Sequence, residues 1–380
     1  MTMMEQMQFC AMVLMALLTL TLALPLPKRV VHGTLLNRSR WLMAGACAML
    51  FVQFLLQYLL GLRSRGIPQA VMLNLLLFVP SSWLFSLSIL SLQRGPKGLH
   101  RGEFAFGGMV WIIVVALMVV AFLIGEKPIS SNTRELRWAE VAGSVLYMVM
   151  QIYYGIIEIR ELRHMRRSIN DYFDRDMGEL LSWMKSGIVI LLLMALLVPI
   201  VIFSSGWPLV AYGLFSMVGV YYLVISFVCY AVSNDAHMVQ EAGQHAEKSV
   251  PEEPKPGNGK APLPADDCRR IEAAVSQWIA DGGHLHSGIT IQTAADEMKL
   301  PRYQLSAWLK TTEQELFSPW ITHLRIEEAK RTMTMHPEWS NDIVAEQCGF
   351  GSRSYFQTVF RKQTGMTPMQ FMERNKTDKE

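Results

Sequence analysis

A handful of side chains near the C-terminus have the types and spacing to meet a polyanion. In the stretch CGFGSRSYFQTVFRKQTGMTP, Cys348 to Pro368, the start is small and polar, the middle aromatic and the end basic. Read as a helix, it sets Phe356 and Phe360 four residues apart on one face, turned toward a core. Arg353, Ser354, Gln357, Thr358 and Arg361 then share the opposite face. Such a helix suits a phosphate backbone.

Other chemistries leave no comparable pattern. The chain has no HExxH, no Ser–Lys or paired-Asp arrangement, no Gly-rich ATP-binding region and no nucleotide-binding loop. GHLH (Gly283–His286) offers metal-ligand residue types but no third ligand nearby. The five cysteines, Cys10, Cys47, Cys229, Cys268 and Cys348, lie far apart, which argues against a disulfide framework and fits a reducing compartment for the polar part. No metal, cofactor or catalytic centre is expected.

The basic helix has a counterpart upstream. TAADEMKLPRYQLSAWLK (Thr293–Lys310) is similar to DIVAEQCGFGSRSYFQTVFR (Asp342–Arg361). Ala295 matches Ala345, Met298 matches Cys348, Leu300 matches Phe350 and Leu309 matches Phe360, with one extra residue in the second copy. Each copy reads helix, tight turn, helix. The small Ala295 and Ala345 let the paired helices approach closely. Gly349 suits a turn residue with positive φ, and Phe350 joins Phe356 and Phe360 in the core. In the first copy Lys299 stands where the second has Gly349, and Pro301 predicts a second helix starting at Pro301 or Arg302. Thr367 and Pro368 read as the N-cap and first residue of a closing helix.

With these residues in order, GFGSRSYFQTVFRKQTGMTP resembles the C-terminal signature of the AraC/XylS family of bacterial transcription regulators. LRIEEAKRTM (Leu324–Met333) is similar to the long helix joining that family's two helix-turn-helix units. The resemblance covers about 100 residues, all C-terminal. It implies a sequence-specific DNA-binding domain whose two recognition helices enter successive major-groove segments on one face of the duplex. Trp308-Leu309 departs from the usual small-apolar-then-Phe ending, so the first copy is the more divergent reader.

Within that implied frame, side-chain chemistry sorts the candidates. Arg bonds guanine and Gln bonds adenine in bidentate fashion, so Arg353 and Gln357 are the best base readers, with Ser354 and Thr358 beside them. Arg361, Lys362 and Tyr355 suit phosphate contact. On the first copy Arg302, Tyr303, Ser306, Ala307 and Lys310 fall away from Leu305 and Leu309. Of these, Arg302, Tyr303 and Ser306 are base candidates, Ala307 offers a methyl group, and Lys310 suits a phosphate. From Asp267 to Glu380 there are 14 Lys or Arg against 15 Asp or Glu, a net charge of −1. Phosphate neutralisation drives non-specific affinity. The useful positive charge is therefore local, around Arg353, Arg361 and Lys362, or a second protomer of a homodimer contributes.

What must hold these residues is unusual. The chain is 51% hydrophobic with a mean hydropathy of +0.23, and only 18% of it is charged. Long apolar runs at about Gln8–Leu24, Trp41–Leu60, Gln69–Leu92, Phe104–Gly125, Trp138–Ile157, Ser186–Phe203 and Leu209–Val232 predict seven membrane spans. The first run lacks a basic flank and a good cleavage site, so it reads as a retained span and not a signal peptide. Loops one, three and five carry thirteen Lys or Arg: Lys28, Arg29, Arg38, Arg40, Arg94, Lys97, Arg101, Arg160, Arg163, Arg166, Arg167, Arg175 and Lys185. The alternate loops carry five: Arg63, Arg65, Lys127, Arg134 and Arg137. The positive-inside rule then sets the N-terminus outside and the C-terminus in the cytoplasm.

Gln53, Gln57, Asn74, Glu140 and Gln151 lie in or at the edge of spans, and Pro80 could kink the third. They read either as a small-ligand pocket or ion path, or as interhelical glue. In the fifth loop, Ile159, Leu162, Met165 or Arg166, Ile169 and Phe173 recur at helical spacing. That segment either extends the fifth span to pair with a neighbouring protomer or the output domain, or lies on anionic headgroups. Residues 233–266 hold five prolines and few large apolar side chains, the composition of a flexible linker spanning about 30 Å.

The expectation is an all-α chain: a polytopic transmembrane bundle over 1–232, a linker over 233–266, and a double helix-turn-helix domain over 267–376. Its expected role is that of a DNA-binding regulator in the bacterial inner membrane, not an enzyme. Promoter DNA, the bilayer and an unknown small ligand or membrane signal are its expected partners. A transporter or membrane enzyme with a regulatory tail is the rival.

Overall fold

The computed structural model describes residues 3–24, 34–61, 67–125, 133–174, 178, 180–201, 204, 206–233, 265–312 and 315–377. The proline-rich stretch 234–264 and the loop cations Lys28, Arg29, Arg63, Arg65, Lys127 and Arg175 lie outside the described residues. The regular elements described are helical, 14 α-helices and two short 3-10 turns. The chain divides into two compact units: Met1–Met165 with Leu180–Lys248, and Arg166–Glu179 with Ser249–Glu380.

Seven long helices account for the apolar part. They are α1 (Met3–Ala23), α2 (Thr34–Leu60), α3 (Ile67–Arg94), α4 (Arg101–Gly125), α5 (Arg134–Tyr172), α6 (Ser182–Val201) and α7 (Trp207–Val232). All seven are long and apolar enough to cross a membrane. Each expected span falls on one of these helices, though Ile202 and Phe203 of the sixth lie outside the described residues, and Pro80 sits inside α3. α2 packs along both α1 and α3, α6 pairs with α7, and α1 lies against α7.

The distribution of polarity in this unit is the reverse of a water-soluble protein. Ile112, Leu123, Ile156, Ile200 and Val218 point outward, while Gln151, Ser86 and Ser144 are fully buried. Outward apolar faces of this extent call for lipid or a partner. Several of the inner polar groups bond across helices. Ser82 Oγ donates to Gln151 Oε1 at 3.0 Å, and Gln151 Nε2 donates to Ser86 Oγ at 2.9 Å. Tyr147 hydroxyl donates to Ser82 at 3.2 Å. At the end of α3, Arg94 is held between Glu103 at 2.7 Å and Glu161 at 3.1 Å. For Gln151 the structure thus favours interhelical glue.

The other unit is built from α8 (Ala265–Ala280), α9 (Ile291–Glu297), α10 (Arg302–Leu309), α11 (Phe317–Met335), α12 (Asn341–Gln347), α13 (Arg353–Thr364) and α14 (Pro368–Thr377). It has two cores on one spine. Phe317, Trp320 and Ile321 of α11 pack with Ile271 and Val275 of α8 and with α9 and α10. Farther along α11, Ile326, Ala329 and Met333 pack with α12 and α13. Each helix-turn-helix is too small to bury a core of its own, and α11 gives each one a wall.

Candidate nucleic-acid interface

The two copies fold into the same turn. In the first, Leu300 N–H donates to Ala295 O at 2.9 Å and Lys299 N–H to Asp296 O at 3.0 Å. In the second, Phe350 N–H donates to Ala345 O at 2.9 Å and Gly349 N–H to Glu346 O at 3.0 Å. This paired closure is a Schellman motif, which needs a left-handed residue just after the helix. Gly349 supplies it at φ 76° and Lys299 at φ 56°. So the sequence departure at Lys299 leaves the turn unchanged. Ala295 and Ala345 are both buried where the paired helices meet.

Local sequence also fixes where each reading helix begins. α13 starts at Arg353 because Ser352 is extended and its hydroxyl accepts from Tyr355 N–H at 3.3 Å. α10 starts at Arg302, after Pro301, which provides no side-chain cap. At the C-terminus, Thr367 Oγ accepts from Gln370 N–H while Gln370 Oε1 accepts from Thr367 N–H, at 3.3 and 2.9 Å. This reciprocal cap explains the closing helix at Pro368.

On α13 the division of faces is clean. Phe356 and Phe360 are fully buried, stacked edge-on at 5.5 Å, and Phe350 lies 5.1 Å from Phe356. Arg353, Ser354, Thr358, Arg361 and Lys362 are exposed and Gln357 is half-buried. Arg353 bonds Asp342 of α12 at 3.0 Å, a solvent-exposed pair. Tyr355 is half-buried and its ring packs near Phe350, 6.2 Å between centroids, so part of this phosphate candidate belongs to the core.

On α10, Leu305 and Leu309 are buried, while Tyr303 and Lys310 are exposed. Arg302, Ser306 and Ala307 are half-buried. Gln304 faces inward and accepts from Arg270 at 2.9 Å. Trp308 packs edge-on against Trp320 of α11 at 5.9 Å, which explains why a bulky residue ends this helix. Arg302 stacks over the ring of Tyr172, 5.4 Å from its centroid.

Two further charged residues sit at the heart of this unit, and neither stood out in the sequence. Arg325 of α11 is almost fully buried. Its Nε donates to His284 O at 2.8 Å and its Nη2 to His286 O at 2.7 Å, tying the 3-10 turn Gly283–Leu285 to the spine. Nη2 also lies 2.8 Å from the carboxylate of Asp174. A signal was available for Arg325. Phe317, Ile321, Arg325 and Ala329 recur at four-residue spacing, so a charge interrupts an apolar stripe. GHLH thus serves the fold. His284 is buried beside Trp278, and burial followed by the charges of Arg325 and Arg331 lowers its pKa. Cys348, buried at the turn, has its thiol pushed up to about 11, chiefly by burial.

The profile of a protein family described as a helix-turn-helix domain matches residues 294–374. A stretch of 86 residues is 36% identical to the uncharacterized transcriptional regulatory protein YesN of Bacillus subtilis (strain 168), covering 22% of this chain and 23% of that protein. Regulatory protein PocR of Salmonella typhimurium is 29% identical over 90 residues, 24% of this chain and 29% of its own length. The uncharacterized regulator YobQ of Bacillus subtilis (strain 168) is 36% identical over 97 residues, 25% and 39% of the two chains. The chain thus covers well under half of these relatives' lengths. No solved structure matches the chain. Two identically closed turns, two reading helices set on one spine and this matched stretch agree: residues 294–374 are an AraC-type helix-turn-helix domain, carried in one chain with seven long apolar helices.

Proposed function

We propose that the whole chain is a membrane-integrated regulator that binds promoter DNA in a sequence-specific manner, with residues 1–232 in the bacterial inner membrane, a linker over 233–266 and the reading domain, 267–376, in the cytoplasm. The observation that carries this reading is the pair of reading helices, each with its apolar side sunk in its own core and a polar, basic side turned away. Arg353 and Gln357 read bases, supported by Ser354 and Thr358. Arg361, Lys362 and Lys310 contact phosphates, and Tyr355 does so through its exposed edge. Arg302, Tyr303 and Ser306 form the second reading set. Loop charge supports the orientation. A homodimer would bring a second set of these local cations to the duplex.

The membrane unit holds a cavity that supports a sensing role. It measures about 90 Å³ and is lined by Gln8, Gln53, Gln57 and Asn74 together with apolar residues such as Phe54 and Phe78. Gln53 Nε2 donates to Asn74 at 2.9 Å, whereas Gln53 Oε1 is buried without a hydrogen-bond partner. That leaves an acceptor for a small, largely apolar molecule bearing one donor group.

The test is a footprint with the full-length protein in lipid nanodiscs over its own upstream region and genomic fragments. Protection over roughly two helical turns is expected, consistent with two reading helices on one face. Arg353→Ala should relax preference at one base step by about 1–3 kcal/mol. Absence of any protected site at low salt would sink the regulator reading.

A further inference from the structure

The last turn of α5 and the residues just after it belong to the same compact unit as the reading domain. α5 ends at Tyr172, and Phe173 turns extended and forms an antiparallel bridge with Thr290, the N-cap of α9. Ile169 and Phe173 are buried, and Tyr172 packs on the core shared by α8, α9, α10 and α11. Asp174 closes the contact. One of its carboxylate oxygens accepts from Gly288 N–H at 2.9 Å and meets Arg325 at 2.8 Å, both side chains nearly out of reach of water. Buried charges of opposite sign with further hydrogen bonds on each are costly to separate one at a time, so this attachment is specific.

The same short segment covers part of the surface that would face DNA. Arg302, Ser306 and Lys310 are spaced four apart along α10 and form one stripe. Tyr172 lies under the Arg302 guanidinium at 5.4 Å, and Asp171 lies within Coulombic reach of both Arg302 and Lys310. A guanidinium stacked on a tyrosine ring beside an aspartate already has the aromatic and anionic partners that a base and a phosphate would bring. Among the described residues no such cover lies on the second reading helix, α13, whose Arg353 meets the exposed Asp342.

We infer that residues 169–174 form an intramolecular clasp that competes with DNA for the first reading helix. Asp174 and Phe173 anchor the clasp to the domain, and Tyr172 and Asp171 occupy the basic stripe of α10. DNA engages both reading helices only in the fraction of molecules whose clasp has lifted, and the apparent affinity falls by that fraction. Because the clasp is the end of α5, one helix contains both a membrane-length apolar run and the segment that masks the reader. The inference rests on Arg302 being a DNA contact.

The test measures the affinity of the full-length protein in nanodiscs for a promoter fragment found by footprinting, at fixed salt. Variants are Tyr172→Leu, Tyr172→Phe, Asp174→Asn, Arg302→Ala and Tyr172→Leu combined with Arg302→Ala. Tyr172→Leu should tighten binding at least about fivefold, and Asp174→Asn should shift it in the same direction. Tyr172→Phe keeps the ring and should bind as the parent does. In the Tyr172→Leu background, where the ring no longer holds Arg302, Arg302→Ala should weaken binding, and Tyr172→Leu should add nothing to Arg302→Ala, since the group it releases is gone. Weaker or unchanged binding for Tyr172→Leu, with Arg302→Ala still weakening, overturns the clasp and leaves the reading of Arg302 standing. Equal affinities for Tyr172→Leu with and without Arg302→Ala overturn that reading and the competition with it. Tyr172 is half-buried, so its replacement keeps the test valid if Asp174→Asn disturbs folding.

Discussion

At the turn of the second helix-turn-helix, one missing atom matters more than any side chain present. A Cβ on Gly349 would stand 2.3 Å from the carbonyl oxygen of Leu285, and the backbone there has φ +76°. Gly349→Ala therefore carries both left-handed strain and a collision with backbone. It should destabilise the domain by at least about 2 kcal/mol. Lys299 occupies the matching position at φ 56° and bears the strain already. Lys299→Gly should give a gain under about 1 kcal/mol, reduced by the freedom glycine has in the unfolded chain. Both changes are read from the urea concentration at which the C-terminal domain of the intact protein becomes protease-sensitive. Gly349 was legible because glycine in a helix–turn–helix pattern has few other uses. Asp174 was not, because its partner Arg325 lies in another part of the chain and each looks like an ordinary surface charge until the two are brought together.

Among the elements, the internal repeat was the easiest to read. Matched small, apolar and capping residues specify helix, turn and helix locally, and both copies take that form. The end of α5 was only half legible. Its helical spacing announced an apolar stripe beyond the membrane-length run, and two uses for it stayed open. The Phe173–Thr290 bridge and the packing of Tyr172 on the core of the reading domain select one of them. In the apolar unit the two groups of buried amides differ in a measurable way. Gln151 has both its amide oxygen and nitrogen paired to serines, whereas Gln53 leaves its oxygen unpaired at the cavity formed by α1, α2, α3, α6 and α7. Gln151→Leu should cost about 1 kcal/mol or more by removing the hydrogen bonds to the Ser82 and Ser86 hydroxyls. Gln53→Leu should be neutral or stabilising, as expected where a polar group is kept for a ligand. Thermal unfolding of the purified protein checks both. An equal loss for the two would mean that Gln53 is glue as well.

For the molecule as a whole, hydropathy alone was enough to count the candidate spans, since each of the seven helices is both long and apolar. Direction rests on loop charge. A fluorescent protein that matures only in the cytoplasm should glow when fused after Glu380. A periplasm-dependent phosphatase should be active when inserted in the loop around residue 130. The reverse pattern would invert the topology. The attachment at Asp174 also changes what cutting this chain would do. Scission between residues 234 and 264 would remove the covalent tether but leave the reader held by the ion pair and the Phe173–Thr290 bridge. Escape would then be set by a dissociation lifetime, and once the fragment diffused away, loss of effective concentration would make it permanent. A cut in this protein would act as a delayed, one-way release, with the delay written in a single buried carboxylate.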